Sequence, residues 1–376
     1  MLFSWKQTTL QKPTDLPMDL GVRANSMKNV WVHPAKQKKE KDAKLTRPYL
    51  FIDGFNIFIR HFVVNEAISS KSEPIGGLVG FIRTLHHLNE TLSPAKIFVV
   101  WETGGASPRR KSICSEYKSK RAKIKEFLEA DPSSMDMKQV HAMDENSKVS
   151  QLAMLSKLLK STPVCQVFVA NTEADDIISY LVKEKFAHDP STKIIVSNDH
   201  DYYQLLDKPN VRIYDPAKKN FITKDTVIAK TNIHPRNFAL AKAIVGDPSD
   251  NIAGIKGIGY KTLSKRFTGF LDPEKDLMIE DVVRQAELFA ASKKKIKAYS
   301  EVKENESTIR KNWKLIYLNS STLAGNQIEK INYIVDNHNP IANKLQLIKT
   351  IRSNGISFSF DFDRFLTALQ HNLTYK

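Results

Sequence analysis

Apolar and polar positions along this chain alternate between two patterns. Short apolar blocks at 49–52, 96–101, 164–170 and 193–196 are bounded by turn-forming residues and read as strands buried on both faces. Between them, apolar residues recur at spacings of three and four. Leu78, Phe81, Ile82, Leu85 and Leu88 mark a helix that Gly76-Gly77 opens and Ser93-Pro94 breaks, and Leu152, Leu155, Leu158 and Leu159 mark another. Further helices are predicted from Phe55, from Asn171-Thr172, from Tyr202 and over 238–245, with a small hairpin pairing 211–214 with 221–222. Beyond Phe267 the chain turns helical and charged, with helical periods over 278–300 and 341–369. There Phe358, Phe360, Phe362 and Phe365 read as core. Strand–helix alternation of this kind predicts an α/β fold: a mainly parallel central sheet with helices on both faces.

In such sheets ligands lie outside the carboxyl ends of the strands, and acids follow each predicted strand here. Asp53 closes the first and Glu102 the second; Glu173, Asp175 and Asp176 follow the third, and Asp199 and Asp201 the fourth. Asp247 and Asp250 sit three apart in a turn set by Pro248 and Ser249. Thr172 with Asp175 also fits a capping box, so part of the third group has a structural reading. Nine carboxylates on one edge would repel one another, at about 4 kcal/mol for a close pair even at an effective dielectric near 20. Divalent cations would offset that. No Cys/His spacing suggests zinc, His200 reads as a bystander, and all-oxygen ligation favours two Mg2+ ions, with Mn2+ able to substitute.

The formal charge of +16 points to a polyanionic partner, nucleic acid before membrane. Two cysteines imply no disulfide framework. No apolar run is long enough to span a bilayer and no signal core opens the chain, so a soluble intracellular protein is expected. Residues 1–47 carry ten Lys/Arg against four Asp/Glu and read as a basic, flexible extension. A second basic stretch, 107–126, places Lys118, Arg121 and Lys125 at helical spacings. Arg109 and Arg110 lie ahead of them, and Tyr117 offers a ring on which a base could stack. After Asp250, the loop through Gly254, Gly257 and Gly259 lets backbone approach a phosphate. Lys261 and Lys265 follow in position to hold a strand.

The succession FIDG, an acid after the second strand, Tyr-Lys-x-x-Arg, EADD, NDHD and GDPSDNI-x-GI-x-GIG resembles the 5′-nuclease (flap endonuclease) family over about residues 48 to 270. It is most similar to phage 5′–3′ exonucleases and to the 5′-nuclease domain of bacterial DNA polymerase I. The resemblance implies a PIN-like α/β nuclease core over 48–232 with an arch or clamp at 107–147. It also implies a helix-three-turn-helix duplex grip over 233–270, with K+ on its backbone carbonyls, and leaves a helical C-terminal region over 271–376. It implies a first metal region at Asp53, Glu173, Asp175 and Asp199, and a second at Asp176, Asp201, Asp247 and Asp250. Lys118 and Arg121 would meet the scissile phosphate. The family has Asp where this chain has Glu102, so that carboxylate reaches further. The implied partner is DNA with a 5′ flap, a free 5′ end or an RNA–DNA junction, alongside a single-strand-binding protein or polymerase. A catalytically inactive DNA-binding replication factor shares the basic face but has no use for the acids. A small-substrate phosphatase has no use for the basic stretch.

Overall fold

The computed structural model describes residues 46–102, 108–119, 145–290 and 296–374. Residues 46–376 group as one unit. Its frame is a six-stranded sheet in the order β3-β2-β1-β4-β5-β6. The strands are β1 (Tyr49–Asp53), β2 (Lys96–Trp101), β3 (Cys165–Phe168), β4 (Lys193–Val196), β5 (Val211–Asp215) and β6 (Asn220–Ile222). All pairs are parallel except β5 with β6, the predicted hairpin.

Alternation within β1 shows why its sequence is apolar at every position. Tyr49 and Phe51 pack into one core with Phe98, Val167, Ile195 and Ile213; Leu50 and Ile52 pack into another with Val99, Ile194 and Val196. A strand with helices on both faces buries both sets. The second core takes α1 (Gly54–Val64), α2 (Gly76–Leu92) and the end of α4 (Glu145–Leu159), after the short α3 (Pro108–Ile113). The first core takes α5 (Ala174–Tyr180) and α7 (Phe238–Val245), with α6 (Lys224–Thr231) between them in sequence.

Four local expectations are corrected. The third strand is shorter than 164–170, and the segment after β4 is a 3-10 helix over His200–Asp207. Thr172 does not cap α5. Glu173 is the cap residue and makes no side-chain cap bond, while the Thr172 hydroxyl donates to Ala170 O and accepts from Gln327. The supposed helical face from Lys118 is broken at its start: Tyr117 and Lys118 lie in a turn, Lys118 at φ +58°.

Downstream come α8 (Tyr260–Arg266), α9 (Ile279–Ala290), α10 (Lys297–Glu304), α11 (Glu306–Ile316), α12 (Gly325–Asp336), α13 (Lys344–Ser353) and α14 (Phe362–Thr374). Leu347, Phe365, Leu366 and Leu369 join the second core, and Phe360 stacks on His86 at 4.1 Å. No helix among the described residues is long and apolar enough to cross a membrane.

Candidate active site

The parallel register aligns the strand ends: Asp53 stands opposite Val100, Trp101 opposite Phe168 and Ile52 opposite Val196. The residues at and just beyond those ends therefore meet at one rim; seven of the predicted acids are among them, and Asp247 and Asp250 come from the turn after α7. Asp53 doubles as the cap of α1, accepting from the Asn56 N–H at 3.1 Å. Its carboxylate also accepts from the Tyr202 hydroxyl at 3.2 Å. Asp199 caps the following 3-10 helix by accepting from Asp201 N–H. Capping thus fixes two of the acids with their side chains turned back toward the rim.

The carboxylates fall into two sets. In the first, Glu173, Asp175 and Asp176 surround the guanidinium of Arg110. That side chain pairs with both oxygens of Asp175 at 3.1 Å, with Glu173 at 3.0 Å and with Asp176 at 3.2 Å. Lys118 Nζ reaches Glu173 at 2.5 Å. In the second set, Asp201, Asp247 and Asp250 each offer an oxygen within 4.8 Å of the others. Lys242, from the middle of α7, bonds Asp201 and reaches Asp247 at 2.6 Å. Tyr117 links the sets, donating to Glu173 (3.4 Å) and Asp250 (3.3 Å). Asp53 and Glu102 lie close enough to the first set for its charges to act on both.

Electrostatics follow from this crowding. Burial, then the charges of Asp199 and Asp175, push Asp53 up to about 7. Burial also pushes Glu102 up to about 7, although Lys118 pulls the other way. Asp176, Asp199 and Asp201 are raised as well, each by burial first, with Asp175 or Asp201 adding repulsion. Asp247 goes below its ordinary range: burial opposes this, but Lys242 and Ser249 outweigh it. Lys242 is held charged against its own burial by Asp201, Asp199 and Asp247. Buried carboxylates that resist ionising in the protein's own field, presented as an all-oxygen set, are what hard divalent cations fit.

The turn that carries Asp247 and Asp250 is rigid for local reasons. Asp247 and Ile252 exchange backbone bonds of 2.9 and 2.8 Å across it. Asp247 also accepts from Ser249 N–H at 2.9 Å, and Asn251 takes the left-handed conformation at φ +60°. Its neighbour is the segment leading to Lys118, whose N–H donates to Asp250 O at 2.9 Å, while Asn251 Nδ2 donates to Glu116 O at 3.0 Å. Beyond it, Gly254 packs so tightly that a Cβ would lie 1.8 Å from Val245 O, and Gly257 sits in open space at φ +78°. Ile255 and Ile258 anchor this loop while Gly257, Gly259, Lys261 and Lys265 face solvent.

All nine predicted acids thus meet at the rim. Arg110 and Tyr117 do not lie where the sequence reading put them, on a DNA-facing surface. Arg110 is 1% exposed and serves as counter-ion to the first acid set, also donating to Leu315 O; Tyr117 is 4% exposed. A cluster of one sign close behind the acids found carboxylates before it could find phosphates. Arg109 is half-buried and donates to Lys314 O. Arg121 and Lys125 lie outside the described residues, as does most of 107–147 and the 1–45 part of the basic extension. His200 packs against Tyr203 at a tilt, with ring centroids 4.7 Å apart. The sequence reading passed over Lys242, although one lysine in the apolar run FALAKAIV is a signal: a cation there needs a buried anion. It also passed over the end of α11, whose carbonyls at Lys314, Leu315 and Ile316 accept from Arg109, Arg110 and Gln204.

The sheet and the elements that carry the rim are similar in fold to solved phage flap endonuclease and 5′-exonuclease structures. The sequence profile of the 5′-3′ exonuclease N-terminal, resolvase-like domain matches residues 48–232. A 5′-3′ exonuclease of Aquifex aeolicus is 30% identical over 212 residues, which is 56% of this chain and 65% of that protein. The thermostable DNA polymerase I of Thermus thermophilus is 28% identical over 57% of this chain and 23% of its own length. The bacteriophage T5 D15 flap endonuclease, solved as a pseudo-enzyme-product complex with DNA and metal ions, superposes with a TM-score of 0.57. It is 20% identical and covers 86% of this chain and all of its own, a likeness of fold. Residues 48–232, about half of the chain, are thus similar to the N-terminal, resolvase-like domain of 5′-3′ exonucleases, and the chain spans 65% of the length of the Aquifex relative.

Proposed function

We propose that this protein is a structure-specific 5′ nuclease that hydrolyses phosphodiesters in DNA at 5′ flaps, free 5′ ends or RNA–DNA junctions. Replication or repair is the setting, and two Mg2+ ions, replaceable by Mn2+, are the cofactors. The observation that carries this reading is the meeting of nine carboxylates at one rim, seven from four strand ends and two from the turn after α7, beside cations and an exposed glycine loop. Asp53, Glu102, Glu173, Asp175 and Asp199 would hold one ion, and Asp201, Asp247 and Asp250 the other, partly through water; Asp176, expected at the second ion, stands with the first set around Arg110. When bound, such ions supply an acidified water as nucleophile and neutralise charge on the attacked phosphate.

The chain's own residues do the rest. Arg110 neutralises part of the first acid set and fixes its shape. Lys118, tethered to Glu173 and 15% exposed, is placed to offer its ammonium to phosphate charge as it develops. Arg121 is assigned the same part by the family motif. Gly257, Gly259, Lys261 and Lys265 would hold the duplex backbone, with K+ on the loop carbonyls. The division into nuclease core (48–232), duplex grip (233–270) and helical C-terminal region (271–376) belongs to this reading, as do Arg109 and Lys125 as DNA contacts and a polymerase or single-strand-binding protein as partner.

The test is a 5′-labelled flap duplex incubated with protein and Mg2+. Release of the flap is expected, lost with EDTA and reduced at least about a thousandfold in Asp199→Asn and Asp201→Asn, as losing transition-state charge stabilisation implies. No release by the wild type, or undiminished release by both variants, refutes it.

A further inference from the structure

Lys242 is built to be an ion in its own right. It is 5% exposed, sits on a helix otherwise made of Phe, Ala, Leu, Ile and Val, and points its ammonium into the second acid set. Two of the three carboxylates in that set, Asp201 and Asp247, are its partners. An ammonium has three donors and no acceptor, so it can satisfy anions but not orient a water as a base would. Its position is therefore that of a monovalent cation already lodged among the oxygens a divalent cation would use. Arg110 in the first set differs, because Leu315 O ties its guanidinium to the backbone as well. Lysine is a point charge on a flexible four-carbon stem and can withdraw from one partner without leaving the site.

We propose that Lys242 is a tethered competitor for the divalent ion at Asp201, Asp247 and Asp250, and that its ammonium gives up Asp201 or Asp247 when that ion binds. This rests on the reading above that these three acids take a metal. Lys242 then has two effects. It keeps the metal-free rim folded by holding buried carboxylates as ion pairs, and it raises the cation concentration at which the second ion is taken up. It is a positioning residue and need not touch substrate.

The test is calorimetric titration of Mn2+ into the full chain without DNA, so that no turnover enters the readout. In Lys242→Met the weaker Mn2+ event of the wild type is expected to tighten at least about tenfold, equivalent to about 1.4 kcal/mol. Lys242→Arg, which keeps the charge, is expected to stay within about threefold of wild type, about 0.65 kcal/mol by the same relation. Unchanged or weaker binding in Lys242→Met, with normal binding in the wild type, overturns this proposal and leaves the nuclease reading standing. A wild type that binds no Mn2+ overturns both. Should Lys242→Met fail to fold, amine acetylation of the wild type followed by mass spectrometry decides. Reactivity at Lys242 is expected to rise severalfold with Mn2+, and an unchanged reactivity overturns the proposal.

Discussion

Replacing Asp53 with Asn should make the metal-free protein more stable, not less. The carboxyl is 9% exposed, accepts from Asn56 N–H and the Tyr202 hydroxyl, and is raised from 3.8 to about 7 by burial and by Asp199 and Asp175. The unfolded chain releases this proton near 3.8, so the folded state loses relative stability as pH climbs from there through about 7. That cost is about 4 kcal/mol at pH 8 and falls below about 1 kcal/mol near pH 4. Asn carries no charge and keeps an oxygen for Asn56 N–H. It loses the second acceptor for Tyr202, worth about 1–2 kcal/mol. The net expectation for Asp53→Asn at pH 8 in EDTA is a gain of about 2 kcal/mol, or about 2.5 °C in Tm for a chain of this size. Calorimetric melts in EDTA across pH 4 to 8 would show the gain shrinking toward acid pH and reversing sign near its lower end. Added Mn2+ should stabilise the wild type more than the variant. A variant that melts lower than wild type at pH 8 in EDTA would refute the reasoning, since Asp53 would then be a net contributor to the metal-free fold.

Three further substitutions test the packing around the rim. Arg110→Lys keeps a charge but cannot form the two-pronged pairing with Asp175 while also reaching Glu173 and Leu315 O. Breaking a buried ion set by one partner costs about 3–5 kcal/mol, and about half of that is expected here because the charge remains. The urea midpoint should fall accordingly, and an unchanged midpoint would show that the fork geometry is dispensable. Gly254→Ala drives a Cβ against Val245 O at 1.8 Å, whereas Gly257→Ala meets nothing and carries the strain of φ +78° alone, about 1–2 kcal/mol. Gly254→Ala should therefore melt well below Gly257→Ala, and the opposite order would mean the loop relaxes freely.

Much of this architecture was legible in the chain itself. β2 and β4 match the predicted bounds, as does α7, because a strand buried on both faces and a helix packed all round write themselves as apolar runs. The acids were legible for the same reason: a parallel sheet puts strand ends on one edge, so an acid after each strand implies a meeting place before any coordinates exist. Sequence could not say which cation answers which anion. Arg110 reads as one more basic residue in a basic stretch, and only packing against α5 and the end of α11 makes it a buried counter-ion. Lys242 becomes a partner of Asp201, forty-one residues away, through the docking of α7 beneath the rim. Residues 306–316 carry no motif, yet their carbonyls hold Arg109 and Arg110 in place. Periodicity is a local property, written residue by residue, so the chain alone determined the strands, the helices and the edge where the acids gather. Charge pairing depends on distances between segments far apart in sequence, and those were decided by the tertiary structure.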